Sequence, residues 1–168
     1  EALPWGTWRL RRIAVHEAGH CLVAEAEQLP VQQVLVGTLA CLRAGISGCG
    51  STVFEAPGTA KLSLAELRRW SRVLQAGMLA ERQVYGEEPR GGADDRSLLG
   101  QIWGLSGFDV DTAQREQRQA RREVEALLRR EHRNLEQRAE AMLLSAPRLG
   151  RPERLSRQAS AEADSACP

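Results

Sequence analysis

The stretch RIAVHEAGHCLVA, residues Arg12–Ala24, decides the fold and the chemistry expected of this chain. It contains the pattern H-E-x-x-H at His16, Glu17 and His20. Residues four apart on a helix share one face and lie ~6 Å apart along the axis, which suits two imidazoles that bind one zinc ion. Glu17 would lie beside this ion, where its carboxylate could take a proton from bound water and pass it to a leaving amine.

The apolar flanks of the motif predict that its helix is buried. Residues 13–15 precede it and residues 21–24 follow it, and none of them is charged. A helix that is apolar nearly all round lies inside a protein, where an unpaired imidazole is costly and a metal ion removes that cost. An accidental match would instead leave both histidines as ordinary residues. The buried setting favours the metal site.

Length and composition limit the class of protein. The 168 residues predict one zinc domain at 1–149 and a flexible tail at 150–168, which is rich in Arg, Ser, Ala and Pro. A formal net charge of +1 gives no reason to expect nucleic acid as a partner. No apolar run approaches the ~20 residues that span a bilayer. The four cysteines form no C-x-x-C pair, which favours a reduced, cytoplasmic location.

Caps and apolar spacing predict a mainly α fold with a small β-sheet. A first helix is expected from about Trp8, with Thr7 as its N-cap, to about Gln28. Valines at positions 31, 34 and 36 predict a strand, and one or two further short strands are expected over residues 42–54.

Helices are expected through most of the remaining chain. Ser63-x-x-Glu66 is a capping box that predicts a helix to about residue 85, ended by the glycine at 86. Asp94 or Asp95 would begin a short helix that ends near residue 105. Residues 111–145 combine many charges with one apolar stripe, which predicts one long helix or two consecutive ones.

A zinc ion in a hydrolase usually takes three protein ligands and one water, so a third ligand is needed. The third histidine of the metzincins is absent, because Val23 and Ala26 occupy the positions of its glycine and histidine. His132, the remaining histidine, lies in a charged helix that predicts exposure. Glu25 and Glu27 share the motif helix and cannot easily reach back to the ion. The carboxylates that stay open are Glu81, Asp94, Asp95, Asp109 and Asp111.

Three further blocks follow the H-E-x-x-H helix: Ala76–Glu87, Gly91–Asp95 and Glu131–Leu143. In order and spacing, the four blocks together resemble the protease domain of the FtsH-type, AAA+-linked zinc metalloproteases. Ala76–Glu87 is similar to that family's G-G-R-x-A-E-E-x-x-[FY]-G-E helix, and Gly91–Asp95 falls where the family has G-A-S-N-D. The resemblance covers about residues 9–155 and is weak between 38 and 62.

The resemblance implies a zincin-like FtsH protease-domain fold and a zinc endopeptidase that cleaves unfolded or loosely structured proteins. The family's aspartate ligand falls on Asp95, although a helix N-cap is the more common role of aspartate at such a position. The family's supporting glutamate falls on Glu81, which would hydrogen-bond a ligand histidine and fix its tautomer. The segment Gly50-Ser51-Thr52 falls where the family has the strand that pairs with substrate.

The sequence also departs from that family. It contains no G-x-x-x-x-G-K-[ST] motif for an ATPase motor and no transmembrane anchor. The chain is therefore expected to be either an excised protease domain or a stand-alone relative, and these departures favour the stand-alone relative. Its expected location is the cytoplasm, or the cytoplasmic side of a membrane-anchored protein. The implied partners are a polypeptide substrate and either further copies of the chain or an AAA+ unfoldase. The alternative is a non-proteolytic, zinc-stabilised binding or assembly module associated with an FtsH-like ring.

Overall fold

The computed structural model describes residues 5–55 and 61–147 and confirms a mainly helical fold with a small β-sheet. The predicted tail at 150–168 lies outside these residues. No helix within the described ranges combines the length and apolar character needed to cross a membrane. The elements are α1 (Trp5–Ala26), β1 (Val31–Val36), α2 (Thr38–Arg43), β2 (Gly50–Phe54), α3 (Leu64–Tyr85), α4 (Ala93–Ser106), α5 (Val110–Arg130) and α6 (His132–Ser145).

Helix α1 carries the H-E-x-x-H motif through the centre of the molecule. Every residue from Ala14 to Ala24 is buried, as the apolar flanks predicted. The helix packs mainly against α3 and α6. It begins at Trp5, so the prediction that Thr7 is its N-cap was wrong.

Helix α3 joins the two parts of the hydrophobic core. It begins at the predicted capping box, in which the Glu66 amide donates to Oγ of Ser63 and the Ser63 amide donates to the Glu66 carboxylate. It ends at the predicted Gly86, whose φ of 66° is left-handed. One side of α3 packs against α1 and α5. The other side packs against α4 through Leu67, Trp70, Leu74, Leu99, Ile102 and Trp103.

The segment between the two strands differs from the expected one or two strands over residues 42–54. Gly37, with a φ of 97°, turns the chain at the end of β1, and Thr38–Arg43 forms the short helix α2. Only Gly50–Phe54 forms the second strand, β2. It pairs antiparallel with β1, from Val31 opposite Phe54 to Val36 opposite Gly50. Periodicity cannot distinguish helix from strand in an apolar run as short as residues 39–42.

The C-terminal half follows the predicted pattern. Helix α4 begins at Ala93 after Gly92, so neither Asp94 nor Asp95 is its N-cap. Of the two alternatives expected over residues 111–145, one long helix or two consecutive ones, the structure has two: α5 and α6, which meet at Glu131. Together, α1, β2, α3 and the start of α4 surround one groove, and this groove contains the motif.

Candidate metal centre

His16, His20 and Asp95 place three ligand atoms in one small triangle. Nε2 of His16 lies 3.1 Å from Nε2 of His20 and 3.2 Å from Oδ2 of Asp95, and the third side measures 3.3 Å. Four-coordinate zinc with ligands at ~2.0–2.1 Å requires ligand atoms roughly 3.3 Å apart. Among the described residues, His16, His20 and Asp95 are the one group of His, Cys, Asp or Glu side chains close enough together to hold a metal ion. The donor set fits a small divalent cation.

The tautomers of the two imidazoles are fixed by their outer nitrogens. Nδ1 of His20 donates to the carbonyl of Val73 at 2.8 Å, and Nδ1 of His16 donates to Oε1 of Glu81 at 2.7 Å. Each Nε2 therefore presents a lone pair toward Oδ2 of Asp95, which is also an acceptor. Three acceptors at this spacing repel one another unless a cation or a proton lies among them.

The surroundings of His16 favour its protonated, charged form. Burial lowers the pKa of His16, but its hydrogen bonds to Asp95 and Glu81 outweigh burial and raise the pKa to about 10. Burial also opposes ionisation of Asp95, but its bonds to the two histidines hold the pKa of this carboxyl far below its usual range. The site therefore stabilises positive charge among its three ligand atoms, and a divalent cation would replace the proton.

Glu81 lies against His16, where the predicted hydrogen bond to a histidine is present. Its second oxygen, Oε2, accepts from Nε of Arg12 at 2.7 Å and from the backbone amide of Arg90 at 3.2 Å. Burial raises the pKa of Glu81, but the bonds from His16 and Arg12 outweigh it and lower the pKa to about 2. An ionised Glu81 accepts the Nδ1 proton of His16 and so directs Nε2 toward the ligand triangle.

Arg12 is a site residue that the sequence analysis missed. Its guanidinium group is buried, donates to the carboxylates of Glu81 and Glu87, and lies over the rings of Trp8 and Tyr85. A signal for it was present in the sequence, since an arginine one helical turn before His16 lies on the metal-binding face. A buried arginine requires a paired acid.

Glu17 lies beside the ligand triangle and is 4 % exposed. Its Oε2 accepts a hydrogen bond from Oγ1 of Thr52 at 2.7 Å, whereas no described residue donates to its Oε1. Burial raises the pKa of Glu17, more than the neighbouring His20, His16 and Thr52 lower it. A carboxylate with a raised pKa is well suited to proton transfer near neutral pH. The Thr52 contact was not predicted, because no local pattern links residues that are 35 positions apart.

Two glycines allow the functional side chains to lie against backbone. A Cβ at Gly77 would lie 2.5 Å from Nε2 of both His16 and His20. A Cβ at Gly50 would lie 2.6 Å from Oε1 of Glu17. Any larger residue at either position would therefore displace a side chain of the site.

The site opens into a groove of about 850 Å³. Residues 50–52 of β2 line this groove beside Glu17, and the loop from Arg90 to the start of α4 also lines it. Among the described residues, β2 pairs only with β1. Its second edge therefore has unpaired backbone groups that an extended chain could use.

The other sequence candidates for a third ligand lie away from the triangle. His132 contacts Gln83 and Glu136 on the outer helices. Glu25 pairs with Arg138, and Glu27 pairs with Arg72. Asp109 is the N-cap of α5, and Asp94 and Asp111 are exposed. The structure therefore brings together His16, Glu17, His20, Glu81 and Asp95, and it leaves the other candidates outside.

Comparison with protein-family models and with curated sequences gives no significant match. The function of the chain is therefore inferred from the chemistry of this site.

Proposed function

We propose that this chain is a zinc-dependent endopeptidase with a zincin-like fold of the FtsH protease-domain type. The convergence of His16, His20 and Asp95 beside Glu17, in an open groove, carries this proposal. Nε2 of the two histidines and Oδ2 of Asp95 would hold the zinc ion. When bound, zinc would supply a water of pKa ~7 and polarise the carbonyl of the peptide bond.

Glu17 is the proposed proton carrier. The hydrogen bond from Thr52 to Oε2 orients the carboxylate and leaves Oε1 to accept the proton of the attacking water. Glu17 would then give this proton to the nitrogen of the broken peptide bond as the amine leaves. The burial of Glu17 supports this role, because a raised pKa makes both the acceptance and the return of the proton accessible near neutral pH.

Strand β2 is the proposed binding edge for the substrate backbone. Its residues 50–52 line the groove, so a peptide that paired with this edge would cross beside Glu17. Strand addition requires an extended peptide, which favours unfolded or loosely structured proteins as substrates. Folded substrates would need an unfoldase of the AAA+ type, because these 168 residues contain no P-loop motif.

The test compares the zinc-loaded wild-type chain with Glu17→Gln on an unfolded protein such as casein. The wild type should cleave it in a chelator-sensitive reaction. Glu17→Gln should bind zinc normally and cleave at least about 100-fold more slowly, which is the usual contribution of a general base. Glu25→Gln, an exposed change on the same helix, should keep the wild-type rate.

Wild-type cleavage rates in Glu17→Gln would refute this mechanism. A wild-type chain that binds zinc and cleaves no unfolded protein would support the non-proteolytic module instead.

A further inference from the structure

The guanidinium group of Arg90 lines the groove without an ionic partner. Its Cζ lies 4.9 Å from the centre of the Trp8 ring, and no described residue makes a hydrogen bond or ion pair with its side chain. Stacking on an aromatic face orients a guanidinium group and leaves its N–H donors available at the edge. Arg90 therefore offers an oriented and unused fork of donors to a groove ligand.

The position of Arg90 is fixed relative to the metal centre at both of its ends. Its backbone amide donates to Glu81, which holds His16, and its side chain stacks on Trp8. Trp8 lies eight residues before His16 on α1, or ~12 Å along the helix axis. An extended peptide advances ~3.3 Å per residue, so this distance corresponds to three or four substrate residues.

Arg9 is a second cation that lines the groove without an acidic partner. Its side chain is exposed, and within the described ranges its contact is with Sγ of Cys49 at 3.4 Å. Arg12, by contrast, is neutralised by Glu81 and Glu87. Asp94, the exposed acid of the groove, forms no ion pair with Arg9 or Arg90.

We infer that Arg90, assisted by Arg9, selects peptides that carry a carboxylate three or four residues from the cleaved bond. A carboxylate is the planar acceptor that matches the guanidinium fork. The inference rests on the proposed function, because the position is counted from a bond cleaved at the metal centre. The carboxylate could belong to an Asp or Glu side chain or to the C-terminus of the peptide.

Binding of labelled peptides to the zinc-loaded Glu17→Gln chain tests the inference without cleavage. One peptide series places a single glutamate at successive positions with an amidated C-terminus, and a matched peptide has glutamine throughout. A third peptide combines glutamine with a free C-terminal carboxylate. We expect the best glutamate or free-carboxylate peptide to bind about tenfold more tightly than its neutral match, as for one charge-assisted hydrogen-bonded pair.

Arginine variants in the Glu17→Gln background identify the contact. Arg90→Ala should reduce the preference for a carboxylate to below about twofold, and Arg90→Glu should favour a lysine peptide instead. Arg118→Ala, an exposed change on α5 outside the groove, should keep the tenfold preference. A preference confined to internal glutamate would assign the side-chain source, and one confined to the free C-terminus would assign the terminal source.

Three results would overturn the inference: equal binding of acidic and neutral peptides, no measurable peptide binding, or a preference that survives replacement of both Arg90 and Arg9. Cleavage of the same peptides by the wild-type chain tests the proposed function separately. Cleavage without acidic preference would keep the peptidase and refute the selectivity. A preference for acidic peptides in binding, without any cleavage, would keep the selectivity and refute the peptidase.

Discussion

Replacing Asp95 with alanine should remove most of the zinc affinity of the chain. Oδ2 of Asp95 lies 3.2 and 3.3 Å from the two Nε2 atoms, so the variant retains only two of the three converging ligand atoms. Structural zinc sites with four ligands bind with about 10–16 kcal/mol, or roughly 2.5–4 kcal/mol for each ligand. Because 1.4 kcal/mol corresponds to a factor of ten, the dissociation constant should rise by about two to three orders of magnitude.

Asp94→Ala is the matched control, since it removes the same side chain one position earlier. Asp94 is exposed, and the N-cap of α4 is Gly92, with no side-chain hydrogen bond. The control should therefore lose at most the helix-dipole interaction of an acid in a first turn, about 0.3–1 kcal/mol of folding stability. Its zinc affinity should stay at the wild-type value.

Competition with a chromophoric zinc chelator measures both affinities, and far-ultraviolet circular dichroism verifies that each variant is folded. If folded Asp95→Ala bound zinc as tightly as the wild type, the assignment of Asp95 as a ligand would be refuted. Equal losses of zinc affinity in Asp95→Ala and Asp94→Ala would indicate that the acidic character of the start of α4 matters, and would contradict a specific ligand role for Asp95.

Two further predictions concern the surroundings of His16. Glu81→Gln should weaken zinc binding by about 10–100-fold. The Glu81 carboxylate accepts from His16 with one oxygen and from Arg12 with the other, whereas a glutamine amide has only one oxygen that can accept. The control Glu87→Gln should change the zinc affinity little in the same competition assay. The metal-free chain should lose stability as the pH rises. The pKa of His16 is raised from 6.5 to about 10 in the folded state. Its contribution to the free energy of unfolding is therefore fully present below pH 6.5 and is lost as the pH rises through 10. Urea unfolding of chelator-treated protein measures this, and a constant or increasing free energy of unfolding across that range would contradict it.

The elements that local chemistry specifies were predicted well. The Ser63–Glu66 box and Gly86 define both ends of α3, because a cap involves residues within one helical turn. The start of α1 and the helix α2 were not predicted. At α2 several local conformations are acceptable, and the positive φ of Gly37 helps to decide among them.

The candidate site divides in the same way. The spacing of His16, Glu17 and His20 on one helix is a local property that the sequence displays directly. Asp95 and Glu81 required the resemblance to be singled out among the available carboxylates. Thr52 lies 35 positions from Glu17 and depends on the path of β2, which was predicted only loosely.

Gly77 shows how the site constrains the helix that carries it. Glycine inside a helix costs about 1 kcal/mol relative to alanine, yet a Cβ here would lie 2.5 Å from both Nε2 atoms. Within α3, the carbonyl of Val73 is the helical partner of the amide at 77, and its second lone pair accepts the Nδ1 proton of His20 at 2.8 Å. That bond requires the imidazole to lie against the helix backbone, which only a residue without a side chain at 77 permits. The lost helix propensity is therefore a direct consequence of holding His20 in the tautomer that a metal ligand needs.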